Sequence, residues 1–385
     1  MRNEITIGID ATNIRGGGGI THLIELLIAL RPQQLGIQKV VVWGGERTIS
    51  MLPNRSWLSV NNPKMLNKGL FCRTIWQIFS LSNSVRSYGC DVLFVPGGAY
   101  VGSFKPVVTM SQNLLPFENS EIKRFGISTT SIRLLLLRYI QSSAFKKSEG
   151  TIFLTEYARQ MIENHTGKLS NTTLIPHGIS TKFFKEPRRQ CRIDDYSDNQ
   201  PFKVLYVSIV NQYKHQWHVV NAIAKLRAKY GYPIELNLVG PSLLPAMNRL
   251  QQQIDYDDPY HKWVRYHGSV SHDELVEYYS SSDLGVFASS CENLPIILLE
   301  KMASGLPVAC SNKGPMPEVL GGSDFYFDPE NSSEMSDVIN KLVCSPEFRY
   351  ELAQSNYKKS QFYSWSQCAS KTFNFLVEIA NKSAV

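Results

Sequence analysis

The sequence has no apolar stretch long enough to cross a membrane. Its longest run of leucine, Leu134 to Leu137, is far shorter than the roughly 20 apolar residues that a transmembrane helix needs. The N-terminal residues, Met1 to Asp10, lead into alternating strand-like sequence and lack the continuous apolar region of a signal peptide. We therefore expect a protein that works in the cytoplasm.

Cysteine is sparse and unpatterned. The seven cysteines are an odd number, lie far apart and include no CxxC pair, which argues against a disulfide framework and against a zinc site. Two acidic pairs, Asp194-Asp195 and Asp257-Asp258, lie in polar segments without matching ligand residues, and we interpret both as solvated loops. We expect no cofactor and no metal.

The sequence also lacks a recognisable nucleic-acid-binding motif, so we expect no nucleic-acid partner. Its net charge of +7 is modest but unevenly distributed, since residues 1–185 carry +11 and residues 186–385 carry −4. A basic first half is compatible with an anionic membrane surface, with a phosphorylated substrate or with an ordinary solvated face.

The composition is that of a globular protein. Hydrophobic residues make up 43% and charged residues 19% of the 385 residues, and a chain of this length favours two domains. Short apolar segments alternate with longer helical ones, which predicts parallel α/β units. The predicted strands are Ile5–Ile9, Lys39–Trp43, Val92–Val95, Val107–Met110, Gly150–Leu154 and Thr173–Ile175, then Lys203–Ser208, Ile234–Val239, Val264–His267, Leu284–Phe287, Val308–Cys310 and Phe325–Phe327.

A polar stretch separates the two series of strands. Residues Glu186 to Gln200 contain a proline, adjacent arginines and two aspartates, and we interpret them as an interdomain linker. The predicted domains are residues 1–185 and 186–365, each Rossmann-like, and residues Ser366 to Ala380 have the pattern of an amphipathic helix.

One segment, Cys291 to Val308, contains the most informative motif. Pro295 suits the start of a helix and Gly305 suits its left-handed end, which predicts a helix over residues 295–304. Glu292 then lies in the loop before the helix and Glu300 lies within it. Because free N–H groups and the positive end of the helix dipole meet at a helix N-terminus, this loop suits a diphosphate.

Glu292 and Glu300, with seven residues between them and Ala303-Ser304-Gly305-Leu306-Pro307-Val308 following, resemble the E-x7-E signature of glycosyltransferase family 4. These enzymes are retaining, take a nucleotide-sugar donor in their second domain and have the GT-B fold, two facing Rossmann-like domains. The resemblance implies that Glu292 contacts the donor sugar and is catalytic, that Glu300 binds the ribose, and that no metal is required. It further implies donor contacts from Asn293, Leu294, Pro295, Ile296 and Gly240.

A second match follows the first strand of the second domain. The family usually has an arginine and a lysine five residues apart here, and both neutralise the donor diphosphate. Lys214 matches the lysine, whereas Ile209 occupies the arginine position. The resemblance implies that Lys214 is catalytic because it stabilises charge on the leaving group. Asn211 is the nearest polar candidate for the missing arginine.

The first domain matches with departures. Gly16 to Gly19 open a helix like the glycine-rich loop of the family, and a dinucleotide oxidoreductase is disfavoured because the loop is not G-x-G-x-x-G. Gln112 and Asn113 stand where many members have a histidine. A neutral amide cannot be a general base, so the donor phosphate or another group must accept the proton. The predicted cleft residues are Gly17, Gly18, Gly19, Gln112, Asn113 and His177, the last of which is equally compatible with a structural role.

The C-terminal segment Phe362 to Ser366 resembles the family's ending, where a final helix crosses back to the first domain. The resemblance thus predicts a retaining nucleotide-sugar-dependent hexosyltransferase, with a role in cell-surface polysaccharide or lipopolysaccharide (O-antigen) assembly. The alternative is a nucleotide-binding GT-B protein without catalytic activity, and the two differ in whether a bound nucleotide sugar is turned over.

The acceptor is predicted to be a glycan or a lipid-linked glycan. Two segments of the first domain, Lys68 to Arg86 and Arg124 to Lys147, mix basic, aromatic and aliphatic residues. They are either core-facing helices with basic edges or part of a surface that contacts anionic lipid at the inner face of the cell membrane.

Overall fold

The computed structural model describes residues 4–322 and 324–383. The chain forms two compact units. The first consists of Met1–Gly178 and Ser364–Val385, and the second of Ile179–Tyr363. The domain boundaries expected from the sequence were 185/186 and 365/366, so the structure assigns residues 179–185 to the second unit and residues 364–365 to the first.

The first unit is built on a parallel sheet of seven strands in the order β3-β2-β1-β4-β5-β6-β7. Strands β1, β2, β4, β5 and β6 are almost wholly buried, as expected of a sheet covered by helices on both faces. The strands are β1 Ile5–Asp10, β2 Ile37–Trp43, β3 Leu58–Asn61, β4 Val92–Val95, β5 Val107–Met110, β6 Gly150–Phe153 and β7 Thr172–Leu174.

Helices connect these strands, and the C-terminal helix α15 (Trp365–Lys382) belongs to the same unit, where it packs against α1. The predicted return of the last helix to the first domain is therefore confirmed. The other helices are α1 Gly18–Ala29, α2 Glu46–Ile49, α3 Leu70–Trp76, α4 Ser82–Ser87, α5 Asn119–Lys123, α6 Thr129–Lys147 and α7 Glu156–Thr166. A π-helical turn, Gln77–Leu81, joins α3 to α4.

The second unit has a parallel sheet of six strands in the order β10-β9-β8-β11-β12-β13. Its strands are β8 Phe202–Val207, β9 Ile234–Val239, β10 Val264–Tyr266, β11 Leu284–Phe287, β12 Val308–Ser311 and β13 Tyr326–Phe327. Its helices are α8 Gln216–Tyr230, α9 Leu244–Asp257, α10 His272–Ser281, α11 Ile296–Ala303, α12 Met316–Leu320, α13 Ser332–Cys344 and α14 Pro346–Ser360.

In both sheets the order in which the chain adds strands reverses beside the first strand, while all strands stay parallel. In the first unit β1 lies between β2 and β4, and in the second unit β8 lies between β9 and β11. The loops that follow β1 and β4, or β8 and β11, therefore diverge at the carboxyl edge of the sheet. Ligands of doubly wound sheets bind in the crevice at such a switch point. The two predicted Rossmann-like sheets are confirmed, and each has one such crevice.

The predicted linker is wrong. Residues 188–190 belong to the second unit, where they are hydrogen-bonded to the buried Asp283. Arg188 Nη2 donates to the carboxylate of Asp283 at 2.8 Å, and Gln190 Nε2 donates to its backbone carbonyl at 2.8 Å. The buried Arg349 also donates to Gln190 and to the carbonyl of Cys191. A polar composition here reflects a hydrogen-bonded network and not a free connection.

The two basic segments of the first unit are only partly core-facing. Trp76 and Leu134 are buried, whereas Phe71, Phe79 and Tyr139 are each more than 70% exposed. Further exposed apolar side chains on or beside α6 are Ile127, Ile132, Leu135 and Leu136. Among the described residues, no helix is long and apolar enough to span a membrane.

Candidate active site

The loops after β8 and β11 bring together the two residues predicted to be catalytic. Lys214 ends the loop after β8 and Glu292 lies in the loop after β11, and these strands are neighbours in register, with Val204 opposite Leu284. The ammonium of Lys214 donates to Oε1 of Glu292 in an ion pair. The side chains are only 7% and 15% exposed, so water screens this pair weakly.

The surrounding groups hold the Lys214 loop in place. The hydroxyl of Tyr206 donates to the carbonyl of Lys214 at 2.6 Å, and the amide of Ser290 donates to the carbonyl of Tyr213 at 2.9 Å, which ties the two loops together. The Lys214 ammonium also lies 5.8 Å from the centre of the Phe287 ring. The ion pair is therefore fixed by buried contacts, as a binding site requires.

Helix α11 follows Glu292 directly. It begins at Ile296, after Pro295 as the residue that caps it, and spans Ile296–Ala303 against the predicted 295–304. The left-handed turn predicted after the helix is present, because Gly305 has a φ of 68°, and a β-carbon there would lie 2.7 Å from the carbonyl of Lys185. The first-turn amides of α11 thus lie just beyond Glu292 in the chain.

Glu300, in the middle of α11, is buried rather than lying at an open pocket edge. Its carboxylate accepts a hydrogen bond from the hydroxyl of Tyr279 at 3.1 Å. Burial raises the pKa of Glu300 to about 7, although the Tyr279 hydrogen bond and the charges of Lys301 and Lys182 oppose the rise. A carboxyl group with this pKa changes its charge near neutral pH.

Lys301 was not predicted from the sequence. It is fully buried, and its ammonium makes no hydrogen bond to the described residues but lies 5.3 Å from the ring centre of Phe287 and 5.7 Å from that of Tyr206. Burial lowers the pKa of Lys301 to about 7, while the charges of Glu300 and Glu292 oppose the fall. Lys301 therefore belongs to one electrostatic cluster with Glu292, Glu300 and Lys214.

The remaining donor-side residues lie around the same loops. Gly240 follows β9 with a φ of 139°, and a β-carbon there would lie 2.2 Å from the carbonyl of Ser208, so only glycine allows this approach. The side-chain oxygen of Asn211 accepts the amide of Gln212 at 2.7 Å and caps the turn before Lys214. The stretch before α11 is largely buried at Asn293, Leu294 and Pro295 and half-buried at Ile296.

In the first unit, the predicted cleft residues divide into two groups. Gly19, Gln112 and Asn113 line one cavity at the switch point, while Gly17 caps helix α1 and Gly18 begins it. His177 lies instead in a buried aromatic cluster, with its ring centre 4.7 Å from that of His22 and 5.8 Å from that of Trp365. These surroundings favour a structural role for His177.

His22 was not singled out from the sequence, although it lies on α1 directly after the glycine-rich loop. Its Nδ1 accepts from Nε2 of Gln112 at 2.8 Å. Burial, followed by the neighbouring His177, lowers the pKa of His22 well below its usual value, and burial lowers the pKa of His177 to about 3. Both imidazoles are therefore neutral and weakly basic, which makes them poor general bases.

No group of three or more metal-ligating side chains occurs among residues 4–322 and 324–383. One acidic pair was interpreted wrongly as solvated. Asp258 is buried, and its carboxylate accepts the amides of Lys262, Trp263 and Val264 at 2.8–2.9 Å. It closes the turn before β10 and has a structural role.

The comparisons with known proteins point to one class of enzyme. Residues 190–359 match the family model of glycosyl transferases group 1. The O-antigen chain mannosyltransferase B of Escherichia coli is 30% identical over 112 residues, 29% of either chain. The serotype-specific mannosyltransferase WbdA of Escherichia coli is 25% identical over 233 residues, 58% of this chain and 28% of that protein.

Solved structures show the same fold. Sucrose-phosphate synthase from Thermosynechococcus elongatus superposes with a TM-score of 0.78 at 17% identity, over 99% of this chain and 100% of that one. HepE of Anabaena in complex with UDP-glucose superposes with a TM-score of 0.69 at 15% identity, again over 99% of this chain and 100% of that one. The predicted GT-B class is confirmed. This chain spans no more than 29% of the length of the two mannosyltransferases above.

Proposed function

We propose that this protein is a retaining glycosyltransferase, which moves a sugar from a nucleoside diphosphate sugar to an acceptor hydroxyl. The observation that carries the proposal is the buried Lys214–Glu292 pair at the switch point of the second unit. It joins a cation and a carboxylate within the region that matches glycosyl transferases group 1. The HepE structure with UDP-glucose supports a nucleotide-sugar donor.

Lys214 is proposed to neutralise the departing diphosphate. An ammonium has three N–H donors, so it can keep its hydrogen bond to Glu292 and still donate to a phosphate oxygen. Negative charge on the diphosphate grows as the bond to the sugar breaks, and a buried cation stabilises that charge more strongly than water would. Backbone amides at the start of α11 add further donors for the phosphate and sugar.

The two carboxylates have different proposed roles. Glu292, half-buried in a loop, accepts hydrogen bonds from donor-sugar hydroxyls, and its bond to Lys214 keeps it oriented. Glu300 accepts from the ribose hydroxyls, beside the hydroxyl of Tyr279. Because Gln112 is an amide and His22 is a poor base, the acceptor proton is proposed to pass to the donor phosphate.

The acceptor is proposed to be a glycan, free or carried on a lipid, in assembly of a cell-surface polysaccharide such as O-antigen, with a hexosyl donor. The name of the O-antigen chain mannosyltransferase B of Escherichia coli supports this pathway class, and the names of both Escherichia coli relatives support a hexosyl donor. We place the reaction in the cytoplasm. The exposed apolar side chains of α3 and α6 support a peripheral contact with the inner face of the membrane.

The experiment is a panel of nucleotides and nucleotide sugars on the full chain. Unfolding temperature is measured with UDP, GDP and dTDP, since a ligand at 100 times its Kd stabilises by about 2.7 kcal/mol. Slow hydrolysis of the matching nucleotide sugar, with and without EDTA, then reports catalysis without knowledge of the acceptor. We expect hydrolysis that survives EDTA.

The matched control is Glu292→Gln, which keeps size and polarity but removes the charge. Binding without hydrolysis in the wild type would favour a non-catalytic nucleotide-binding protein, for which the neutral Ile209 at the arginine position is the motivating observation. If no nucleotide in the panel changes the unfolding temperature, the proposed function is refuted.

A further inference from the structure

The first unit contains a cavity of about 650 Å³ at its own switch point. The loops after β1 and β4 form one side of it and helices α3 and α6 form the other. Every residue that lines it belongs to the first unit. A cavity of this volume is in the range that holds a small molecule.

Three arginines line this cavity: Arg15 from the loop after β1, Arg73 from α3 and Arg133 from α6. No aspartate or glutamate lines it, and among the residues that the structure describes none of the three forms an ion pair. Burial, followed by the charges of Arg15 and Arg133, lowers the pKa of Arg73. Arg15 and Arg133 are therefore close enough to Arg73 for their charges to act on it.

Arg73 is the buried member of the three, at 9% exposure. Its Nη1 donates to the carbonyl of Thr12 at 3.2 Å and to Oδ1 of Asn13 at 3.3 Å. Its Nε makes no hydrogen bond to any residue that the structure describes. Burying a cation without a carboxylate is costly, and a bound anion would offset that cost and occupy the free donor.

A second buried group adds to this chemistry. Gln141 of α6 is 2% exposed and lines the cavity, and its Nε2 donates to the carbonyl of Gly97 at 3.2 Å, whereas its Oε1 has no hydrogen-bond partner in the described part of the chain. The cavity thus offers guanidinium donors and one unused acceptor. A ligand with anionic oxygens and a hydroxyl group would satisfy both.

The remaining wall is partly polar, through Asn13, Thr74, Gln77, Gln112 and Asn113, and partly apolar. Leu70, Leu136, Leu137 and Ile140 line the cavity, and the first two are more than half exposed. The exposed Phe71 and Tyr139 lie on the same two helices. The cationic cavity therefore has an apolar rim, which suits a phosphate group carried on a hydrocarbon.

We propose that this cavity binds a phosphate or diphosphate group of the acceptor, with Arg15, Arg73 and Arg133 as its contacts and the apolar rim against the carrier. This inference rests on the proposed function, since it identifies the substrate class of the acceptor. Guanidinium groups match phosphate oxygens with paired hydrogen bonds, which explains why arginines line the cavity without carboxylates.

The test is titration calorimetry on the full chain, saturated with the nucleoside diphosphate that binds best, so that the donor site is filled. The probes are inorganic pyrophosphate, farnesyl diphosphate below its critical micelle concentration, and farnesol. We expect pyrophosphate to bind, farnesyl diphosphate to bind at least about tenfold more tightly, and farnesol to bind much more weakly than farnesyl diphosphate.

The variants are Arg133→Gln and Arg15→Gln, whose exposed side chains can change without loss of the core, and the matched control is Lys147→Gln, which removes one charge from α6 outside this cavity. We expect each arginine variant to weaken pyrophosphate binding by about tenfold or more, and the control to change it less than about twofold.

Equal losses of pyrophosphate affinity in all three variants would mean that diffuse surface charge attracts the anion, and would overturn the proposal. So would pyrophosphate binding that disappears when the nucleotide is present, because the anion would then occupy the donor site. Equal affinities for pyrophosphate and farnesyl diphosphate would overturn the apolar-carrier part. Intact donor hydrolysis without pyrophosphate binding refutes this inference alone, whereas absent nucleotide binding refutes the proposed function.

Discussion

Nucleotide affinity should depend on pH through Glu300. If the ionised carboxylate accepts hydrogen bonds from the ribose hydroxyls, protonation removes an acceptor and weakens binding. Burial raises the pKa of Glu300 to about 7, so the change falls near neutral pH. The predicted direction is tighter binding as pH rises.

The size of the effect follows from the ionised fraction. With a pKa of about 7, roughly 3% of Glu300 is ionised at pH 5.5 and roughly 97% at pH 8.5, which limits the change in affinity to about 30-fold. Hydrogen bonds to a charged group contribute about 1.5–3 kcal/mol, which corresponds to about 10- to 150-fold. We therefore expect a loss of about 10- to 30-fold at the lower pH.

The assay compares a ribonucleoside diphosphate with its 2′,3′-dideoxy analogue by calorimetry from pH 5.5 to 8.5. Both ligands carry the same diphosphate, so the ratio of their Kd values cancels the titration of the phosphate. We expect this ratio to change with pH in the wild type and to be constant in Glu300→Gln. A constant ratio in the wild type would refute the ribose role of Glu300.

Other predictions concern the neighbouring residues and the surface. Glu292→Ala should reduce donor turnover by about 100-fold or more and should also lower the unfolding temperature, because it leaves the buried Lys214 ammonium without its carboxylate; near-normal turnover would show that Glu292 is not part of the site. Lys214→Ala should lower kcat by about 100-fold and donor affinity by less than about tenfold, because charge grows in the transition state; equal losses would indicate uniform binding. The pKa of Lys301 is about 7 in the folded protein and 10.5 in the unfolded chain. Burying Lys301 therefore lowers the free energy of unfolding by its full amount below pH 7 and by less as the pH rises. Lys301→Met should therefore stabilise by about 2–5 kcal/mol at pH 6 and less at pH 9, in denaturant titrations; a gain independent of pH would contradict the buried charge. Liposomes rich in anionic lipid should sediment the protein at low salt and release it at high salt, and protein left in the supernatant at low salt would refute the membrane contact.

The sequence predicted the parallel sheets well because each buried strand is a short apolar run with turn residues after it. Strand β3, Leu58–Asn61, was missed since it is short and half-exposed at the sheet edge. The linker prediction failed because a polar composition looks the same in a free connection and in a network around a buried aspartate such as Asp283.

Within the site, the motif predicted Glu292, Glu300 and Lys214, but not how they interact. The direct pairing of Lys214 with Glu292 depends on two loops that meet only in the folded sheet. Lys301 was missed because a lysine beside a glutamate on a helix has the pattern of an exposed pair, and only packing against Tyr206 and Phe287 shows that it is buried. The arginine cavity likewise combines residues from positions 15, 73 and 133, which no local pattern connects.

The most direct test of the account is proton NMR of the sugar released from the best nucleotide-sugar donor, recorded within the first turnovers and before the free sugar mutarotates. The account predicts that nucleoside diphosphate is released, that the sugar first appears with the anomeric configuration of the donor, and that Glu292→Gln abolishes the signal. A first product with the opposite configuration, or no release from any nucleotide sugar that binds, would contradict it.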